Sequence, residues 1–140
     1  MNIVRLNIDK SHSLGDPDLH DGTLVGIGLR SEARVEIVVA DESKTRYLII
    51  LEGVVRINAM EFREVNSILD VTVIRGEDVR LADLVSLQYV GQTAQHAEEY
   101  LKWIHGKILQ ESLYVIEINP SYGCHLIGVA EDIHVEPIQE

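Results

Sequence analysis

Residues 19–62, LHDGTLVGIGLRSEARVEIVVADESKTRYLIILEGVVRINAMEF, decide the fold. Val25, Ile27 and Leu29 leave one side of the chain, and Leu24, Gly26 and Gly28 the other. After Ser31-Glu32-Ala33 the period of two returns, with Val35, Ile37 and Val39 against Arg34 and Glu36. A half-buried strand needs this period, because successive side chains point to opposite faces. Asp41-Glu42-Ser43-Lys44 is a polar turn, and Thr45–Leu51 a third strand. Tyr47, Ile49 and Leu51 share one face of it, while Leu48 and Ile50 make the other face apolar too, so this strand is expected to be central and covered on both sides. Gly53 interrupts the run as a bulge or bend, and Val55 and Ile57 resume it. The whole reads as an antiparallel meander, with Ile37 and Ile49 at the centres of two inward triplets.

Working outward, Ile3–Ile8 alternates as a strand and residues 9–22 read as a loop. Residues 68–74 alternate again, with Leu69, Val71 and Val73 opposite Asp70 and Thr72. The period then changes. Leu81, Leu84, Val85 and Gln88 stand at helical spacing in a short helix over 79–89, with Asp78 as its N-cap. A longer helix starts at the N-cap Thr93, and Ala94, Ala97, Leu101 and Ile104 form its apolar stripe. Gly106 is the expected stop, which leaves Ile108 in the connection. Residues 113–118 are a strand, 119–123 (Asn-Pro-Ser-Tyr-Gly) a turn, and 124–130 and 133–138 a last strand pair joined around Glu131-Asp132.

These elements place the chain in the α+β class, mainly β. The expected form is a curved antiparallel sheet of seven or so strands, a sandwich or partly open barrel, with one or two helices. A chain of 140 residues fits a single domain, 1–140, large enough to fold without disulfides or metals. Its single cysteine, Cys124, fits a reducing compartment. No basic-then-apolar leader opens the sequence, and no run approaches the length of a membrane span, so a cytoplasmic location is expected.

Twelve Lys and Arg against 23 Asp and Glu give a net charge of −11. Beyond Lys107 no basic residue follows, while Glu111, Glu117, Glu131, Asp132, Glu136 and Glu140 do. This field repels phosphate backbones and anionic membranes and disfavours both as partners. It suits a basic protein, with Glu131, Asp132 and Glu136 the expected contact, although acidity also serves solubility alone.

The densest polar cluster is His12, Asp16, Asp18, His20 and Asp21. These residue types ligate metals, but their spacing matches neither a calcium loop nor a zinc motif, and a solvated loop is the more economical reading. No metal and no cofactor are expected. Nucleophile elbows, phosphate loops and dinucleotide fingerprints are absent from the sequence. Cys124 and His125 are neighbours, which a strand turns to opposite faces, so a buried thiol is the expected state of Cys124. The chain therefore reads as a non-enzyme. In an alternative, a small-molecule-binding β-barrel, Tyr100 and Trp103 would line a ligand pocket at the barrel mouth.

The Leu19-His20-Asp21 opening, the meander and the late Asn119-Pro120-Ser121-Tyr122-Gly123 motif resemble small bacterial β-rich domains, some of them similar to immunity proteins of polymorphic toxin systems. The resemblance implies a cytoplasmic protein that binds and blocks a toxin without turnover, and it carries no family active site.

Overall fold

The structure is a computed structural model and describes residues 7–9, 11–88 and 93–139. Most of the predicted first strand, residues 3–6, lies outside them, as does the end of the predicted helix at Tyr89. The fold is mainly β with helices on one side. In chain order the strands are β1 (Asn7–Ile8), β2 (Leu14–Asp16), β3 (Thr23–Arg30), β4 (Arg34–Ala40), β5 (Arg46–Met60), β6 (Ser67–Arg75), β7 (Tyr114–Tyr122) and β8 (His125–Pro137). A 3-10 turn at Gly76–Asp78, a longer one at Leu81–Leu87 and the helix α1 (Ala94–Glu111) connect β6 to β7.

Six strands form one antiparallel sheet in the order β3-β4-β5-β8-β7-β6, curled until its two ends meet. The meander is as expected, with Ile37 directly across from Ile49 and both fully buried. Ile50 is buried on the other face, so β5 is covered on both sides. The closing seam is short. Thr23 pairs with Ser67, Leu24 N–H donates to Asn66 O at 2.8 Å, and Ile68 N–H donates to Gly22 O at 2.9 Å. Along the rest of β6 the segment before β3 takes over: Ser13 bridges Thr72, and Val73 N–H donates to His12 O at 2.8 Å. Leu14 and Leu19 of this segment are buried in the barrel core.

Inward side chains such as Val35, Ile37, Ile49, Leu51, Val71, Ile118 and Leu126 pack into one cluster. A second cluster lies on the outer wall, where Val115, Ile127 and Val129 meet Leu84, Leu87, Leu101, Ile104 and Ile108. The helix therefore packs on the outside of the barrel, and the alternation of β7 and β8 feeds both clusters.

Several boundaries differ from expectation, each for a packing reason. The helix passes Gly106 and ends at Glu111, with Ser112 as a left-handed cap at φ 54°. Gly106 costs about 1 kcal/mol in a helix, and full burial of Ile108 in the next turn outweighs it. Thr93 caps as expected, its hydroxyl accepting from His96 N–H at 3.2 Å. Asp78 does not cap the second helical segment; the Asp83 carboxylate instead accepts from Arg80 N–H at 2.8 Å.

β8 runs unbroken through Glu131-Asp132 rather than forming a hairpin there. Its inward residues Ala130 and Ile133 straddle these two acids, as Leu51 and Val54 straddle Gly53 on β5. Gly53 has φ 62°, and a Cβ on it would lie 2.5 Å from the Glu131 carboxyl carbon, so the paired strands turn at this level as the glycine suggests. The expected turn at 119–123 begins later: Asn119–Tyr122 remain in β7, and Gly123 at φ 87° makes the reversal. Register shifts between Leu24 and Gly26 and between Ile68 and Asp70 turn Val25 and Leu69 outward and leave Leu24 and Ile68 buried, which overturns the simple alternation of both strands.

Candidate functional site

The closing seam gathers the polar cluster seen in the sequence. Asp18 Oδ1 accepts the backbone N–H of His20 at 3.0 Å, and the His20 ring places Nδ1 2.7 Å from Leu69 O. That contact makes Nδ1 the protonated nitrogen and leaves Nε2 3.5 Å from Asp21 Oδ2. Two clefts open on either side of His20 and Asp18. One, of about 310 Å³, is lined by Asp16, Asp18, Asp41, Glu42 and Tyr47. The other, of about 450 Å³, is lined by Asp9, Ser13, Leu69 and Asp70. Neither lining includes a Lys or Arg.

Local backbone chemistry explains why these acids stand there. Asp41 Oδ1 accepts from Thr45 N–H at 2.9 Å and closes the β4–β5 turn. Asp9 Oδ1 accepts from Ser11 Oγ and from the N–H groups of Ser11 and Ser13, and the serine hydroxyl first of all holds the Asp9 carboxyl below its ordinary range. Burial, followed by the Asp41 and Asp16 charges, pushes the Tyr47 phenol up. His20 is pushed up by its bond to Leu69 O and then by Asp21.

The His20 shift has a checkable consequence. A folded-state pKa above the unfolded value means the stabilisation is complete below about pH 6.5 and is lost as pH rises through the folded pKa. The stability difference between the native chain and a His20→Gln variant is therefore expected to be larger in acid than in mild alkali. An NMR titration of the ring protons should give a midpoint above the ordinary histidine value, and Asp21→Asn should lower it.

Among the described residues no three His, Cys, Asp or Glu side chains come together as a metal-binding group. The His12 carbonyl accepts from Val73 N–H of β6, and its backbone sits at φ 64° in the turn after β1.

The other candidate residues are dispersed. Glu131 and Asp132 are exposed on β8, and Asp132 Oδ1 accepts from Ile133 N–H at 2.9 Å. Glu136 is half-buried, 3.9 Å from His134 Nε2. Tyr100 and Trp103 sit on α1, outside the barrel: Tyr100 packs against the outer-wall cluster, Trp103 is largely exposed, their rings are 5.9 Å apart, and the Arg56 guanidinium lies 5.5 Å from the Tyr100 ring. Cys124 is buried, which raises its thiol and disfavours the nucleophilic thiolate.

One polar trio escaped sequence reasoning. Glu117 Oε2 accepts from Ser86 Oγ at 3.2 Å and lies 2.6 Å from His125 Nε2. In a nucleophilic triad the histidine stands between serine and carboxylate; here the carboxylate stands between, so His125 is not placed to take the serine proton. With Asn58 donating to Ser86 O and Leu87 O, the trio ties the 3-10 segment to the wall.

Comparison with protein-family models, with curated proteins and with solved structures gives no match. No helix among the described residues is long and apolar enough to cross a membrane. Functional inference for this chain therefore rests on its own geometry.

Proposed function

We propose that the chain is a non-catalytic interaction module that engages a basic protein partner at the acidic clefts around His20. The observation that carries this reading is the concave surface where Asp16, Asp18, Asp41 and Glu42 converge beside His20 with no Lys or Arg in the lining. Convergent carboxylates steer and orient a cationic partner. An immunity-type inhibitor that occupies a basic toxin is one form this module takes. The β8 acids extend the same field: Pro137 pairs with Tyr47 of the cleft, and Glu136, Asp132 and Glu131 follow along the strand over roughly 20 Å.

The test begins with a pull-down from the native host and continues with association kinetics at two ionic strengths. Converting Asp16, Asp18, Asp41 and Glu42 to amides and serine-sized polar groups is expected to slow association roughly tenfold and to flatten its salt dependence. Amide replacement of Glu131, Asp132 and Glu136 should have a smaller effect in the same direction. A larger effect from the β8 set would move the contact to that strand. Recovery of a small molecule in place of any protein would favour the ligand-binding alternative.

A further inference from the structure

His20 lines both acidic clefts, and among the described residues it is the one basic group in either lining. Its two ring nitrogens are committed differently. Nδ1, 2.7 Å from Leu69 O, carries the proton of the neutral ring, because a carbonyl oxygen can only accept. Nε2 then presents a lone pair 3.5 Å from Asp21 Oδ2, so acceptor faces acceptor. A second proton on the ring turns that contact into an ion pair. The charged groups around the ring are acidic on every side. They are Asp16, Asp18 and Asp21 on its own segment, Asp41 and Glu42 on the β4–β5 turn, Asp70 on β6 and Asp9 after β1. Tyr47 of β5 is the remaining titratable side chain of the linings. Lys44, on the same turn as Asp41, and His12, whose charge acts on Asp9, lie outside both linings.

We propose that His20 is a pH-sensitive gate on these clefts: the neutral ring leaves them to a cationic partner, and the protonated ring supplies the opposing charge itself and weakens that partner's hold. The inference rests on the reading of the clefts as the contact surface for a basic protein, and it names how that contact is regulated. Of the residue types in the two linings, histidine is the one that ordinarily changes charge around neutral pH. The bond to Leu69 O and then the Asp21 charge push His20 up, which places the change above about pH 6.5. The sign follows from Coulomb's law. Below that transition a positive ring stands where the partner's cation must approach, and like charges repel. At roughly 4 Å in water this repulsion is worth about a fivefold change in affinity, less in high salt. Mild acid therefore loosens the partner and mild alkali tightens it.

A short oligo-arginine peptide is the probe, because arginine keeps its charge throughout the range. It is titrated into the full chain at about pH 6 and about pH 8, either side of the histidine transition, at one ionic strength. The backbone amide shifts of Asp18, His20, Asp41 and Glu42 are the readout. The shifts should concentrate at these amides, with affinity about fivefold tighter at the higher pH. His20→Gln should bind equally at both pH values, and His12→Asn, at a histidine outside the linings, should keep the native dependence. The ring gives a measurement that needs no variant. Its NMR midpoint should fall when the peptide is saturating, since binding and protonation oppose each other reciprocally. The failures separate. A peptide that shifts none of these amides at either pH would overturn the reading of the clefts and the gate with it. Equal affinity at both pH values, a His20→Gln protein that keeps the pH dependence, or a ring midpoint unmoved by the peptide would overturn the gate and leave the clefts as the contact surface.

Discussion

Truncating Ile37 to alanine is expected to cost roughly 3–4 kcal/mol, a large share of the 5–15 kcal/mol typical of a domain. Ile37 is fully buried, sits at the centre of β4 and lies directly across from Ile49, also fully buried. Losing its outer carbons removes their transfer energy and leaves a cavity that the closed sheet cannot collapse, because both neighbouring strands are pinned by their ladders. Ile49→Ala should cost a similar amount, and the double variant less than the sum, since the two cavities merge. The control is Arg34→Ala. Its guanidinium reaches Glu36 at 3.1 Å and Glu52 at 3.3 Å on the outer face, yet its side chain is 39% exposed, so the loss should stay below about 1 kcal/mol. Denaturant melts check all four. Equal losses for Ile37→Ala and Arg34→Ala would mean that the core face is not the one described.

The second large effect is expected at Asn66, the buried polar residue beneath the β7–β8 reversal. Its Oδ1 accepts from Arg63 N–H and Cys124 N–H, both at 2.9 Å, and its Nδ2 donates to Arg63 O at 2.8 Å. Asn66→Ala strands these backbone groups, and each buried group left unpaired costs about 1–3 kcal/mol. A total near 3 kcal/mol is expected. Gly123 belongs to the same device: a Cβ there would lie 2.6 Å from Asn66 Oδ1, at a φ of 87° that L side chains rarely adopt. Hydrogen exchange separates this effect from general destabilisation. The Cys124 amide should lose protection more than the Ile37 amide in the Asn66→Ala protein. Equal loss at both sites would reduce Asn66 to an ordinary packing residue.

Period and composition by themselves determined the meander, the inward triplets of β4 and β5, the bend at Gly53, the Thr93 cap and the mainly β class, because each is set by residues within a few positions of one another. Burial of Ile50 was legible for the same reason, in the apolar second face of its strand. Tertiary structure decided the rest. Val25 and Leu69 turn outward because register shifts at the seam insert one residue into each strand, and a shift is a property of the pair rather than of either strand alone. The helix outruns Gly106 because Ile108 finds a buried slot against β7 and β8 that only the folded sheet supplies. The His20 cluster was visible as residues, but its clefts were not. Asp41 and Glu42, more than twenty positions downstream, join Asp16 and Asp18 only when the sheet closes on itself, and closure places them across a surface that no local pattern records.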